Sequence, residues 1–318
     1  MAEKHVSSRR VLVTGGAGFV GSNLIQNLAR QGGYDVSVID DESLGSPDAI
    51  RPFVNRYEKG DIRDKALLKE VLSDRDTVVH LAADTRVMDS IADPGHNFEV
   101  NVVGTFGLLQ EARKANISRF INASTGGAII GEAEPPVHEE MPARPLAPYG
   151  ASKLAAEGYC SAFEGAYGLS IASLRFSNIY GPLSFHKGSV VAHFFKRILK
   201  GLPLTIYGDG CQTRDYLFVG DQAEGIRRAI DSSACGVYQL GSGQPTSLNE
   251  LVALMREIVG TGFPVDVIHD DFRAGEIMHT WCDISKATST IGFSAPTSLR
   301  KGLVSTWNWF RDNRGHFN

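Results

Sequence analysis

Between Val11 and Gly21 an apolar run passes through Thr14-Gly15-Gly16-Ala17-Gly18 into Phe19-Val20, a strand turning straight into a helix through glycines. Such a turn suits a pyrophosphate. Gly15 permits the tight bend, Gly18 lets backbone approach the phosphates, and Gly21 lets helix and strand pack closely, so that free N–H groups face an anion. A second strand, Asp35-Val36-Ser37-Val38-Ile39-Asp40, ends in a carboxylate about 20 residues on, the spacing of a dinucleotide site. Asp40 is placed to accept hydrogen bonds from a ribose 2′-OH and to repel a 2′-phosphate, which selects NAD over NADP.

Strand-like runs at 11–14, 36–40, 57–59, 77–81, 119–123 and 171–176 alternate with helical stretches at about 19–31, 64–73, 97–115 and 149–167. This alternation predicts an α/β fold, a Rossmann doubly wound parallel sheet, with ligands beyond the carboxyl ends of the strands. Beyond residue 176 the elements shorten until an amphipathic helix at 248–259, and a smaller C-terminal α/β substrate lobe is expected there. The expected organisation is a loose tail over 1–9, an NAD-binding domain over 10–177 with a return segment at about 215–242, and a substrate lobe from 178–214 and 243–318.

The chain of 318 residues is 42% hydrophobic, enough for a sizeable core, and its net charge of −4 offers no basic field for nucleic acid. Its four cysteines contain no C-x-x-C pair, so neither a zinc site nor a disulfide framework is expected and a reducing cytoplasm fits best. The polar residues Met1–Arg10 and the short apolar run after them resemble neither a signal peptide nor a membrane span.

Loops after the strands hold the candidate cofactor contacts. Asp61 and Ile62 follow the third strand, where Asp61 can meet an adenine amino group; Leu81, Ala82 and Ala83 follow the fourth and leave room for a cofactor. His80 reads as a packed histidine rather than a base. Tyr149 and Lys153, four residues apart, share one face of a helix. A phenol titrates near ~10, and the neighbouring ammonium is expected to lower that value so that Tyr149 can take a proton from a substrate hydroxyl.

These segments, TGGAGFVG at 14–21, GDIRD at 60–64, HLAA at 80–83, NVVGT at 101–105, YGASK at 149–153, RFSNIYGP at 175–182, GDGCQTRDYLFVGD at 208–221 and RAGE at 273–276, resemble the extended short-chain dehydrogenase/reductases, above all the NAD-dependent nucleotide-sugar epimerases and dehydratases and, among these, the UDP-hexose 4-epimerases. The resemblance implies that the substrate lobe takes a nucleotide sugar, that Asn101 joins the cofactor site, that Asn178, Arg214 and Arg273 grip a nucleotide diphosphate, and that Thr205 and Tyr207 lie against the base. It also implies a third catalytic hydroxyl. Aligned without gaps, Gly126 takes its place, so Thr125, or failing that Ser124, is expected to serve instead.

Gly126, Gly127 and Ala128 stand where dehydrating relatives carry an Asp-Glu pair, which leaves 4-epimerisation of a nucleotide hexose, through a transient 4-keto sugar, as the chemistry implied. A dehydratase or net oxidoreductase is the nearest alternative, and a non-catalytic NAD sensor the alternative from another class. Thr280, before Trp281, implies room for an N-acetyl group at the sugar's C2 side, whereas His186 or Lys187 would suit a uronic acid. A homodimer is also implied, through the helices at about 97–115 and 149–167, with Leu108, Leu109, Ala112, Ala155, Tyr159 and Phe163 as apolar candidates.

Overall fold

The computed structural model describes residues 8–272 and 277–317. Six strands, β1 (Arg9–Thr14), β2 (Tyr34–Asp40), β3 (Arg56–Lys59), β4 (Thr77–His80), β5 (Arg119–Thr125) and β6 (Ser170–Phe176), join the strand Gly236–Leu240 in one seven-stranded sheet. All pairings in this sheet are parallel, and reading from the Gly236–Leu240 edge the order is β6, β5, β4, β1, β2, β3. The order reverses between β4 and β1, which opens a crevice at their carboxyl ends. Of the tail expected over 1–9, residues 1–7 lie outside the described residues, and Arg9 already pairs with Tyr34.

Burial on both faces follows from alternation along each strand. Val11, Val13, Val38, Val79 and Ile121 enter the core beneath the helices Phe19–Gln31 and Val219–Asp231. Leu12, Ile39, Val78, Phe120 and Ile171 enter the opposite core with Leu68, Leu108 and Phe163. A third core, including Phe195, Leu204, Leu251, Met255, Trp307 and Phe310, belongs to a second lobe. There, the short strands Asn178–Tyr180, Thr213–Phe218 and Pro245–Ser247 form one sheet, and Leu204–Tyr207 pairs with Val267–Asp270 in another. The Asn23 amide bridges the lobes by donating to the carbonyl of Pro182 at 3.1 Å.

The helix expected over 97–115 is divided. Pro94–Phe98 and Thr105–Lys114 are α-helical, but Glu99–Gly104 between them is a π-helix. Its wide turn faces Asn101 inward, where the carboxamide bonds the Asp84 backbone and the Ser152 hydroxyl. Thr105 donates to the carbonyl of Asn101 at 2.6 Å and also bonds His80, so side chains satisfy what the ladder leaves open.

The glycine turn is tight in the literal sense. Gly15 has φ of 70°, and a Cβ there would lie 2.6 Å from the backbone nitrogen of Ala82. Gly15→Ala should therefore lower the unfolding free energy by about 1–3 kcal/mol. Urea denaturation measures it, and an unchanged midpoint would contradict the close approach of the two strands.

Candidate active site

The helix Phe19–Gln31 begins at Gly18 with no side chain capping it, leaving its first backbone N–H groups to a ligand. Gly15, Gly18, Phe19 and Val20 line a cavity of about 1050 Å³ that crosses the carboxyl edge of the sheet and continues into the second lobe. Asp40 reaches the same cavity from β2, its carboxylate accepting from the backbone of Ala17 at 2.9 Å and Glu42 at 2.8 Å. Burial raises its pKa while those two donors oppose the rise. Asp61, Ile62, Leu81, Ala82 and Ala83 also line the wall. The Arg63 guanidinium pairs with Asp61 and holds its carboxyl below the usual range. An uncapped helix start among glycines that admit no Cβ, with a carboxylate at the end of β2, fits a dinucleotide.

Tyr149 and Lys153 stand in the same cavity on the helix Pro148–Tyr167, whose first-turn Pro148 presets its start. Thr125, at the end of β5, lies close enough to the Tyr149 phenol to ease its pKa downward. Ser124, pointing to the other face, donates to the buried Glu157 carboxylate at 2.6 Å. The structure thus brings Thr125, not the hydroxyl of Ser124, to the phenol. A Cβ at Gly126 would sit 2.6 Å from the Gln239 side-chain oxygen, so a larger residue there requires that carboxamide to turn.

One electrostatic expectation is corrected. Lys153 does not lower the Tyr149 pKa in this arrangement, because its ammonium donates to the carbonyl of Ala123 at 3.0 Å. Burial holds the phenol up to about 12, Asp84 pushes the same way, and the Thr125 hydroxyl opposes them. Burial drives the Lys153 ammonium down to about 8. His80, held at 2.8 Å by both Thr14 and Thr105, is pushed to about 3 and stays neutral, a packing residue.

Asn178 and Arg214 line the cavity from the second lobe, the Arg214 guanidinium steadied by the carbonyls of Thr213 and Met278. Thr205 and Tyr207, on the strand Leu204–Tyr207, are not part of that wall. Arg273 lies outside the described residues. The Asn101 carboxamide accepts from the Asp84 N–H and donates to the Asp84 carbonyl and the Ser152 hydroxyl, and so braces the cavity-lining Asp84. Thr280 packs against the loop after β5, its hydroxyl 3.5 Å from where a Gly127 Cβ would be.

Asp84, Thr85 and Arg86 also line the cavity and were missed by motif reading. The signal was available, since they directly follow β4 at the ligand-bearing edge. Beneath the site, Arg175 forms a two-pronged pair with Glu157 at 2.8–2.9 Å, both side chains about 5–6% exposed. This pair anchors Ser124 and so fixes the end of β5.

The family model described as the NAD dependent epimerase/dehydratase family matches residues 11–241, and the chain belongs to that family. It is 37% identical over 310 residues to a putative UDP-glucose 4-epimerase of Methanocaldococcus jannaschii, covering 95% of this chain and 99% of that one. The UDP-glucose 4-epimerase of Thermotoga maritima, solved with UDP-glucose, superposes with a TM-score of 0.91 at 34% identity, covering 96% of this chain and 99% of the other. That of Thermus thermophilus, solved with NAD, gives 0.89 at 36% identity with the same coverage of 96% and 99%.

Two measurements check this geometry. Removing the Glu157 carboxylate strands a buried guanidinium, so Glu157→Ala should destabilise the protein by about 3–5 kcal/mol in urea titration; a loss near zero would contradict the buried pair. In cofactor-stripped protein, the absorbance difference between wild type and Tyr149→Phe should reveal tyrosinate only near pH 12. A tyrosinate signal from this residue at pH 8 would overturn the burial argument.

Proposed function

We propose that the protein is an NAD-dependent 4-epimerase of a UDP-hexose. The observation that carries the reading is the Tyr149–Thr125 hydroxyl pair facing one cavity with the uncapped glycine turn, beside a loop, Gly126-Gly127-Ala128, that contains no acid or base. Bound NAD supplies a hydride acceptor and a positive charge beside the phenol. Tyr149 takes the proton of the C4 hydroxyl and later returns it to the opposite epimer. Thr125 bridges the phenol and the substrate oxygen, and Lys153, moving from the carbonyl of Ala123, holds the cofactor ribose and adds its charge. Asn178 and Arg214, with Arg273, hold the nucleotide diphosphate; guanidinium forks suit phosphate oxygens. The three-part organisation expected from the sequence serves this division of labour.

A dehydratase needs a second acid and base at the sugar, and Gly126-Gly127-Ala128, directly after β5, supply neither. The cofactor is regenerated in every cycle, so it remains bound rather than being consumed.

The same reading includes a homodimer. Leu108, Leu109, Ala112 and Phe163 are buried within one chain and cannot serve it. Phe98, Val103, Tyr159 and Tyr167 remain 39–53% exposed on the helices involved, and they are the better candidates for the partner face. Placement in the cytoplasm is supported by four free cysteines, Cys211 among them exposed. Among the described residues no helix is long and apolar enough to cross a membrane.

Purified protein given a UDP-hexose without added NAD should form a product of unchanged mass, and Tyr149→Phe should reduce kcat by about 10²–10⁴-fold. A product lighter by water, or full activity in Tyr149→Phe, would reject the reading. Tyr159→Asp should convert the dimer to monomer in light scattering; a monomeric wild type would dispose of the dimer.

A further inference from the structure

Resting on that reading and deepening it, we infer that Lys187 is the recognition residue of a carboxylate subsite, so that the sugar handled here is a hexuronate. The loop that carries it is built rather than loose. Leu183 adopts φ of 65°, uncommon for a branched residue and found where the surroundings hold it in place. The Ser184 hydroxyl donates to the carbonyl of Gly181 at 2.6 Å, and the Lys187 N–H closes a turn on the carbonyl of Ser184 at 3.0 Å. From the helix Val190–Leu199, the Lys196 ammonium then donates at 3.0 Å to the carbonyls of both Phe185 and Lys187. The backbone is therefore pinned on both sides of His186, and Lys187 lines the cavity.

Its charge is the unusual part. Other cations along the cavity wall have acceptors on the protein: Arg63 pairs with Asp61, Arg86 with Asp89, Lys153 with the carbonyl of Ala123, and Arg214 with the carbonyls of Thr213 and Met278. Among the described residues, Lys187 makes no ion pair or side-chain hydrogen bond. Its surroundings are cationic as well. Burial and Arg86 both lower the Lys187 pKa, and Lys187 in turn lowers that of Lys153.

A half-buried ammonium beside two other positive charges is unfavourable unless an anion joins it. The neighbourhood of Lys153 tells which anion. Lys153 belongs to the end of the cavity where Tyr149 meets the sugar, whereas Arg214 enters from the second lobe. In a hexuronate the carboxylate carbon is two bonds from C4, so a phenol at O4 and an ammonium at the carboxylate fall in the same small region. A neutral hydroxymethyl group would leave the ammonium without its counter-charge.

The test compares kcat/KM for UDP-glucuronate and UDP-glucose in wild type, Lys187→Met and Lys187→Arg, all with their bound cofactor. Wild type should prefer UDP-glucuronate. In Lys187→Met that preference should fall by about 10- to 100-fold, chiefly through KM, the span of one charged hydrogen bond, and Lys187→Arg should restore most of it. Should wild type epimerise UDP-glucose and ignore UDP-glucuronate, the subsite is refuted while the epimerase reading stands. Equal losses on both sugars in Lys187→Met would move Lys187 to the diphosphate and overturn the proposal too. A wild type inert towards both would instead bring down the epimerase reading on which it rests.

Discussion

Removal from water governs the chemistry of this protein. The parallel sheet is sealed by apolar cores on both faces, and its carboxyl edge is where polar side chains must emerge. There the same physical effect acts in different directions on different groups. It drives a phenol up to about 12, an ammonium down to about 8 and an imidazole to about 3, because in each case the charged form loses its hydration. A tyrosine so held is a proton carrier that needs positive charge nearby before it gives up its proton. The protein alone does not deliver that charge, since Lys153 is turned to a backbone carbonyl. On the proposed reading, acid–base competence would be tied to cofactor binding, since a bound NAD would supply the positive charge that the protein alone does not.

What the sequence disclosed and what it hid follow from how local each feature is. The glycine turn, Asp40 and the Tyr149–Lys153 pair were readable because each lies within one element or one strand–turn–helix unit. Choosing between Ser124 and Thr125 required knowing which face of β5 meets the helix Pro148–Tyr167. Neighbours on a strand point opposite ways, so only one meets the phenol, and the register that decides it is tertiary. The neighbour of Thr280 is tertiary in the same way: its side chain lies against Gly127, about 150 residues earlier in the chain. Asn101 sits in a π-helical turn that a periodicity of 3.6 cannot announce. That Lys187 has no counter-ion among the described residues is an absence, which no one-dimensional pattern displays.

The two lobes divide the work along lines set by their architecture. The large sheet offers a rigid edge on which glycine, carboxylate, hydroxyl and phenol hold fixed places, supported below by the Glu157–Arg175 pair. The second lobe contributes cations, Arg214 on a short strand and Lys187 on a pinned loop, suited to anionic parts of a substrate. Rigid groups attend to the reacting carbon, while charged arms read what surrounds it.

The central claim is that C4 loses and regains hydrogen as hydride inside one cavity, with Tyr149 handling only the hydroxyl proton. A UDP-hexose substrate carrying deuterium at C4 tests this directly when the product is analysed by mass spectrometry and NMR. The account predicts that the epimerised sugar keeps its deuterium at C4 even in ordinary water. Deuterium washed out into solvent would mean that carbon is deprotonated instead, and would contradict it.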